Sequence, residues 1–102
     1  MINIQKWIDE KVDEDFTYHT AANGECYVTC KVSNYSRKFE SYDKAMEHME
    51  DSVKSIYFVL INTRVDDVLH IGNNEECQMI YKAFELNGQN EIEVWTIEEF
   101  LG

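Results

Sequence analysis

The chain has no long apolar run. Its longest, "IYFVLI" from Ile56 to Ile61, is about a third of the roughly twenty residues that a membrane-spanning helix requires, so no bilayer crossing is expected. Cysteine is scarce. Cys26, Cys30 and Cys77 form an odd set that cannot pair completely within one chain, which favours a reducing cytoplasm. The opening "MINIQKWIDE" carries charges within its first ten residues, with no basic leader, apolar stretch and small-residue cleavage site, so a secreted precursor is not expected. Glycine-rich phosphate loops of either common type are missing. No serine or cysteine stands in a nucleophile pattern with His19, His48 or His70.

Basic residues are the most telling shortage. Nine lysines and arginines face twenty aspartates and glutamates, for a net charge of −11. At that density a polyanion or an anionic membrane surface is repelled. A basic protein surface is attracted, with steering over a Debye length of about 8–10 Å. Direct binding to nucleic acid or membrane is therefore not expected, and a basic protein partner is. Proline is absent, lysine outnumbers arginine, and asparagine, isoleucine and tyrosine are frequent, a composition that points to an AT-rich coding genome such as those of low-GC bacteria and their phages.

What is present is enough for a folded domain. The 102 residues are 44% hydrophobic and 13% aromatic, sufficient apolar material to offset chain entropy in one core. Ile4, Trp7, Ile8 and Val12 recur at helical spacing, with Asp9, Glu10, Asp13 and Glu14 on the opposite side. Asp15 falls near the helix end, where the dipole disfavours a carboxylate. Phe16 to Val32 alternates around Asn23-Gly24, a strong turn pair, and a third strand is expected from Tyr35 to Glu40. Ser41 can cap a second helix, with Tyr42, Ala45, Met46, Met49 and Val53 inside and Asp43, Glu47, Glu50 and Asp51 outside. "SIYFVLI" reads as a central strand and "VLHI" as a shorter one. Asn74 then caps a third helix with Cys77, Ile80, Tyr81 and Phe84 inward and Gly88 at its end. A strand runs to about Trp95, and Thr96 and Glu99 have capping-box spacing. The expected fold is one α+β domain over residues 1–102. It has a mainly antiparallel sheet of five to six strands and three helices, in the order α-β-β-β-α-β-β-α-β, plus a short C-terminal helical turn.

Candidate chemistry is thin. Cys26 and Cys30 on one strand are separated by a rise of roughly 13 Å, too far for a disulfide or a shared zinc even with His19 across the hairpin. Asp66, Asp67, Glu75 and Glu76 can be imagined around a magnesium ion. They read equally well as a turn and as first-turn helix charges. Neither a metal nor any other cofactor is expected, and no enzyme. Lys31, Arg37 and Lys38 near Tyr27, Tyr35 and Phe39 offer a stacking surface for RNA bases, and the order helix, three strands, helix resembles a double-stranded-RNA-binding domain. The start of the second helix, "SYDKAMEHME", lacks the basic pair such domains set against phosphates, and the global charge opposes RNA.

The carboxylates remain. Neighbours at i and i+4 on a helix lie about 6 Å apart, so Asp9 and Asp13, and Asp43, Glu47 and Glu50, form rows comparable with phosphates along one DNA strand. In size, acidity and lack of a catalytic motif the chain resembles small phage or plasmid inhibitors, among them anti-CRISPR proteins and other DNA-mimicking anti-defence proteins. The likeness is spread over the whole chain and transfers no residue. It implies binding to a type II CRISPR effector nuclease, which grips a short duplex motif with arginines and holds the guide–target duplex in a basic channel. The expected partner-binding residues are Asp9, Asp13, Glu14, Asp43, Glu47 and Glu50, with Tyr35 and Trp95 as aromatic anchors. Two alternatives use the same composition: an immunity protein that neutralises a basic nuclease toxin, and an acidic adaptor without such a partner. Homodimerisation through a sheet edge is also open.

Overall fold

The computed structural model describes residues 2–102. Its elements run α1 (Ile4–Asp15), β1 (Phe16–Thr20), β2 (Cys26–Cys30), β3 (Tyr35–Phe39), α2 (Tyr42–Ile56), β4 (Phe58–Asn62), β5 (Asp67–Gly72), α3 (Asn74–Leu86), β6 (Ile92–Thr96) and α4 (Ile97–Leu101). The α+β class and the order of elements are those the sequence predicts, with α4 as the short C-terminal turn. All strand pairs are antiparallel, and the six strands form two sheets of three, β1-β2-β3 and β5-β4-β6. The chain divides into two compact units, Ile4–Val53 and Lys54–Gly102 with residues 2–3, and the boundary falls inside α2. Among the described residues no helix is long and apolar enough to cross a membrane.

In the first unit, Ile8 and Val12 are the buried stripe of α1. Asp15 at its end has a local reason to be there. Its carboxylate lies 3.7 Å from Lys11 Nζ one turn earlier, and its carbonyl accepts the Lys31 N–H at 2.7 Å. The helix end is thus tied to the end of the hairpin, offsetting the unfavourable dipole. The hairpin closes through Ala22, Asn23 and Gly24: Gly24 N–H donates to the Ala21 carbonyl at 3.0 Å, and Ala21 N–H to the Glu25 carbonyl at 2.8 Å. Gly24 has φ +89°, the left-handed position that a three-residue hairpin loop assigns to glycine. Strand β2 is central and buries Cys26 and Val28. Across α2, Ser41 Oγ accepts the Lys44 N–H at 3.3 Å as a cap, and Ala45, Met49 and Val53 are buried. The Phe39 ring packs 4.9 Å from His48, and the Arg37 guanidinium lies 5.1 Å over Phe39. Tyr42, expected inside, is 42% exposed. As the first residue of the helix it packs on Tyr18, at 5.7 Å between ring centroids, instead of entering the core.

In the second unit, β4 is central and buries Val59, Leu60 and Ile61 in succession, as a strand covered on both faces must. Asn62 Oδ1 accepts the Arg64 N–H at 3.0 Å, and Asp66 takes φ 52°, so the "NTRVDD" stretch is a turn. The cap of α3 is Asn73, one residue before the expected Asn74: its side chain accepts the Glu76 N–H at 2.8 Å. Gly88, at φ +79°, ends the helix as expected, its N–H donating to the Glu85 carbonyl at 3.0 Å while Gln89 N–H donates to Phe84 at 3.1 Å. Cys77 is the residue of α3 that is fully buried; Ile80, Tyr81 and Phe84 are half-buried. At Gly72 a side chain would collide with the Glu76 carboxylate and come within 2.9 Å of His70 Nε2, so glycine leaves room for the 3.1 Å His70–Glu76 pair. The predicted capping box at Thr96 and Glu99 is complete.

Candidate functional site

The first unit carries eleven carboxylates against six bases, and the second nine against three. Acidity is therefore a property of both units, beyond the two helix backs on which the expected site lies. On α1, Asp9, Glu10, Asp13 and Glu14 are all exposed. They differ in freedom. Glu14 is held by Lys11 at 3.1 Å, and Asp9 Oδ1 accepts a hydrogen bond from Gln5 at 3.0 Å. The Lys31 ammonium reaches the Asp13 carbonyl at 3.5 Å and forms no ion pair with the Asp13 carboxylate. On α2, Asp43, Glu47 and Asp51 are exposed and Glu50 is half-buried, so the outer row loses part of its third member to packing. The burial follows from the helical arc: Glu50 neighbours Met49 and Val53, which face the core.

The two aromatics expected as anchors are both partly exposed on strands, and a further exposed aromatic pair occurs in the first unit. Tyr35 is 43% exposed on the edge strand β3, paired opposite Cys30. Trp95 is 39% exposed on β6, in the other unit. Tyr18 and Tyr42, at 40% and 42% exposure, form a tilted pair beside the acidic rows. The Tyr42 phenol is raised above its ordinary value, first by its hydrogen bond with Tyr18 and that ring's charge, with the Asp13 carboxylate adding to the effect. Asp13, Tyr18 and Tyr42 thus share one electrostatic neighbourhood. The sequence held a signal for this: Tyr18 sits on the inward-facing register of β1, opposite Val28, and Tyr42 on the first turn of α2, where a helix has no preceding turn to pack against.

The basic residues do not converge. Arg37 shares a sheet face with Tyr35 and Phe39, and Lys38 lies on the opposite face with Tyr27, 3.7 Å from Glu25. The RNA-stacking arrangement would need both on one face. That outer face is otherwise neutral and self-satisfied: His19 stacks on Tyr27 at 5.1 Å, and Thr29 and Ser36 share a hydrogen bond of 2.9 Å. Cys26 and Cys30 stand at opposite ends of β2 as free thiols. Cys30 is half-exposed, and hydrogen bonds from the Ser33 side chain and backbone lower its pKa. Burial raises that of Cys77. Among the described residues no three His, Cys, Asp or Glu side chains gather closely enough to hold a metal ion, Asp66, Asp67, Glu75 and Glu76 included.

Comparison of the chain with protein-family models, curated proteins and solved structures finds no match.

Proposed function

We propose that this protein is a non-catalytic inhibitor of the anti-CRISPR kind, binding a type II CRISPR effector nuclease and excluding DNA from its recognition surface. The observation that carries the reading is the exposed acidic surface of α1 and α2, where Asp9, Asp13, Asp43 and Glu47 lack ion-pair partners among the described residues, set beside the exposed Tyr18–Tyr42 pair. Carboxylates without internal counter-ions keep their field for a partner, and a basic groove built for phosphates is the surface they complement. Glu14 and Glu50 contribute less, one being compensated by Lys11 and the other partly buried. Charge speeds encounter; the affinity of such interfaces is concentrated in buried aromatic anchors. Tyr18 and Tyr42 take that role in the first unit beside Tyr35; Trp95 lies in the second unit. The bound protein needs no catalytic group, only occupancy of the groove.

The test is association kinetics with the effector–guide complex across a salt series. Steered association runs well above the roughly 10⁵–10⁶ M⁻¹s⁻¹ of unsteered docking and falls steeply with salt. Reversing Asp13, Asp43 and Glu47 to lysine together should lower the rate by about tenfold or more at low salt and flatten its salt dependence. An unchanged rate and slope would remove the acidic-surface mechanism even if the two proteins bind.

A further inference from the structure

The second unit carries an open strand edge. Strand β6 is the outer strand of its sheet. Thr63 N–H donates to the Glu91 carbonyl at 2.7 Å and Ile97 N–H to the Tyr57 carbonyl at 3.1 Å. In an antiparallel pair hydrogen-bonded residues alternate, so with this register Glu93 and Trp95 bond to Ile61 and Val59. The N–H and C=O groups of Ile92 and Val94 therefore point away from β4. Thr96, the next outward residue, has its N–H taken by Glu99 Oε1 at 3.2 Å, which ends the usable edge where α4 begins.

Beside this edge lies a groove of about 280 Å³ lined by Gln78 and Tyr81 of α3 and by Ile92, Glu93, Val94 and Trp95 of β6. A strand laid along β6 would place alternate side chains on its two faces. On one face they meet Val94 and Tyr81, a setting that admits apolar groups. On the other they meet Glu93 and the partly exposed Trp95, with Glu91 two residues before Glu93. Neither Glu91 nor Glu93 has an ion-pair partner among the described residues, and a cation there gains carboxylate attraction beside an exposed indole.

We infer that the β6 edge and its groove with α3 bind an extended segment of a partner protein in which apolar and basic residues alternate, added as a fourth strand to the sheet. Hydrogen bonds to Ile92 and Val94 hold the backbone, and the alternation supplies the selectivity. A second copy of this chain is a poor occupant. Antiparallel pairing of two β6 strands about Ile92 sets Glu91 opposite the other copy's Glu93, and pairing about Glu93 sets the two Glu93 side chains opposite each other, arrangements that destabilise a sheet. In the register about Val94 both Glu93 carboxylates still share one face without a cation, and two chains of net charge −11 repel.

The probe is a capped hexapeptide alternating lysine and valine, with a glutamate–valine peptide as control, read by amide hydrogen exchange on the full chain. In the free protein Ile92 and Val94 should exchange faster than Glu93 and Trp95. At about ten times its Kd the lysine–valine peptide should slow Ile92 and Val94 about tenfold, while the control leaves them unchanged. Glu93→Lys should weaken the effect several-fold, and Val94→Pro, which removes an outward N–H at an edge position that tolerates proline, should weaken it too. Reversing Asp13 and Asp43 should leave it intact, separating this edge from the α1 and α2 surface. Unslowed exchange at Ile92 and Val94, equal slowing by both peptides, or protection that grows with protein concentration without peptide would each overturn the assignment.

Discussion

Leu60 sits at the centre of the second unit's sheet. It is fully buried, lies at the middle of the central strand, and is paired laterally with Val94 on one side and His70 on the other. Replacing it by alanine removes three carbons from a site whose backbone is pinned by two strand partners, so the walls cannot collapse far into the void. Leucine-to-alanine changes in such cores cost about 2–5 kcal/mol, the larger values where relaxation is poorest, and a loss of about 3–4 kcal/mol is expected here. At roughly 4–8 °C per kcal/mol for a domain near this size, the midpoint should fall by at least about 12 °C. Urea denaturation followed by Trp95 emission in a Trp7→Phe background reads this unit, because Trp95 pairs with Val59 on the same central strand. With a slope near 2 kcal/mol/M the urea midpoint should drop by about 1.5–2 M with the slope unchanged. Val65→Ala, at a position 65% exposed, should stay within about 0.5 kcal/mol. A loss below about 1 kcal/mol for Leu60→Ala would refute the placement of β4 at the centre of its sheet.

Other outcomes follow from individual groups. Thr96→Ala removes one half of the capping box and should cost about 1 kcal/mol, measured by the same urea titration. Cys30 should react with a disulfide reagent near neutral pH well before Cys26 and Cys77, since its lowered pKa gives more thiolate while the other two are buried; Ser33→Ala should slow it. His48 is held below its ordinary pKa by burial first and by the Arg37 charge second. The folded state therefore favours the neutral ring, and the stability this gives is present above about pH 6.5 and is lost as pH falls through the depressed value. His48→Gln should show a shallower loss of stability between neutral and mildly acidic pH, and an unchanged pH profile would contradict that assignment.

Much of the fold was legible because its signals are local. Asn23-Gly24, Ser41, Gly88 and the Thr96–Glu99 pair each act within a few residues, and each occurs where expected. Asn73 and Asn74 are adjacent and chemically equal, so choosing the cap between them needs the backbone. The division of six strands between two sheets was not legible, because β6 reaches β4 only after the whole of α3, and pairing at that separation leaves no mark in either strand's own pattern. The site was readable as charge and much less as geometry. Periodicity placed Asp9, Asp13, Asp43 and Glu47 outside, and they are. It could not show that Lys11 takes Glu14, that Glu50 leans into the packing, or that Tyr42 leaves the inner stripe to meet Tyr18. Those depend on contacts with particular neighbours. Trp95 likewise belongs to a strand edge with its own groove.

Occupation by this protein of a surface built for DNA is tested most directly by competition. Tagged protein would be incubated with a type II effector loaded with its guide RNA, and recovery measured with and without excess target duplex bearing the recognition motif. The effector should be recovered, prior addition of the duplex should prevent that recovery, and Asp13→Lys with Asp43→Lys should reduce it. Recovery indifferent to the duplex, or no recovery of the effector at all, would contradict occupation of that surface.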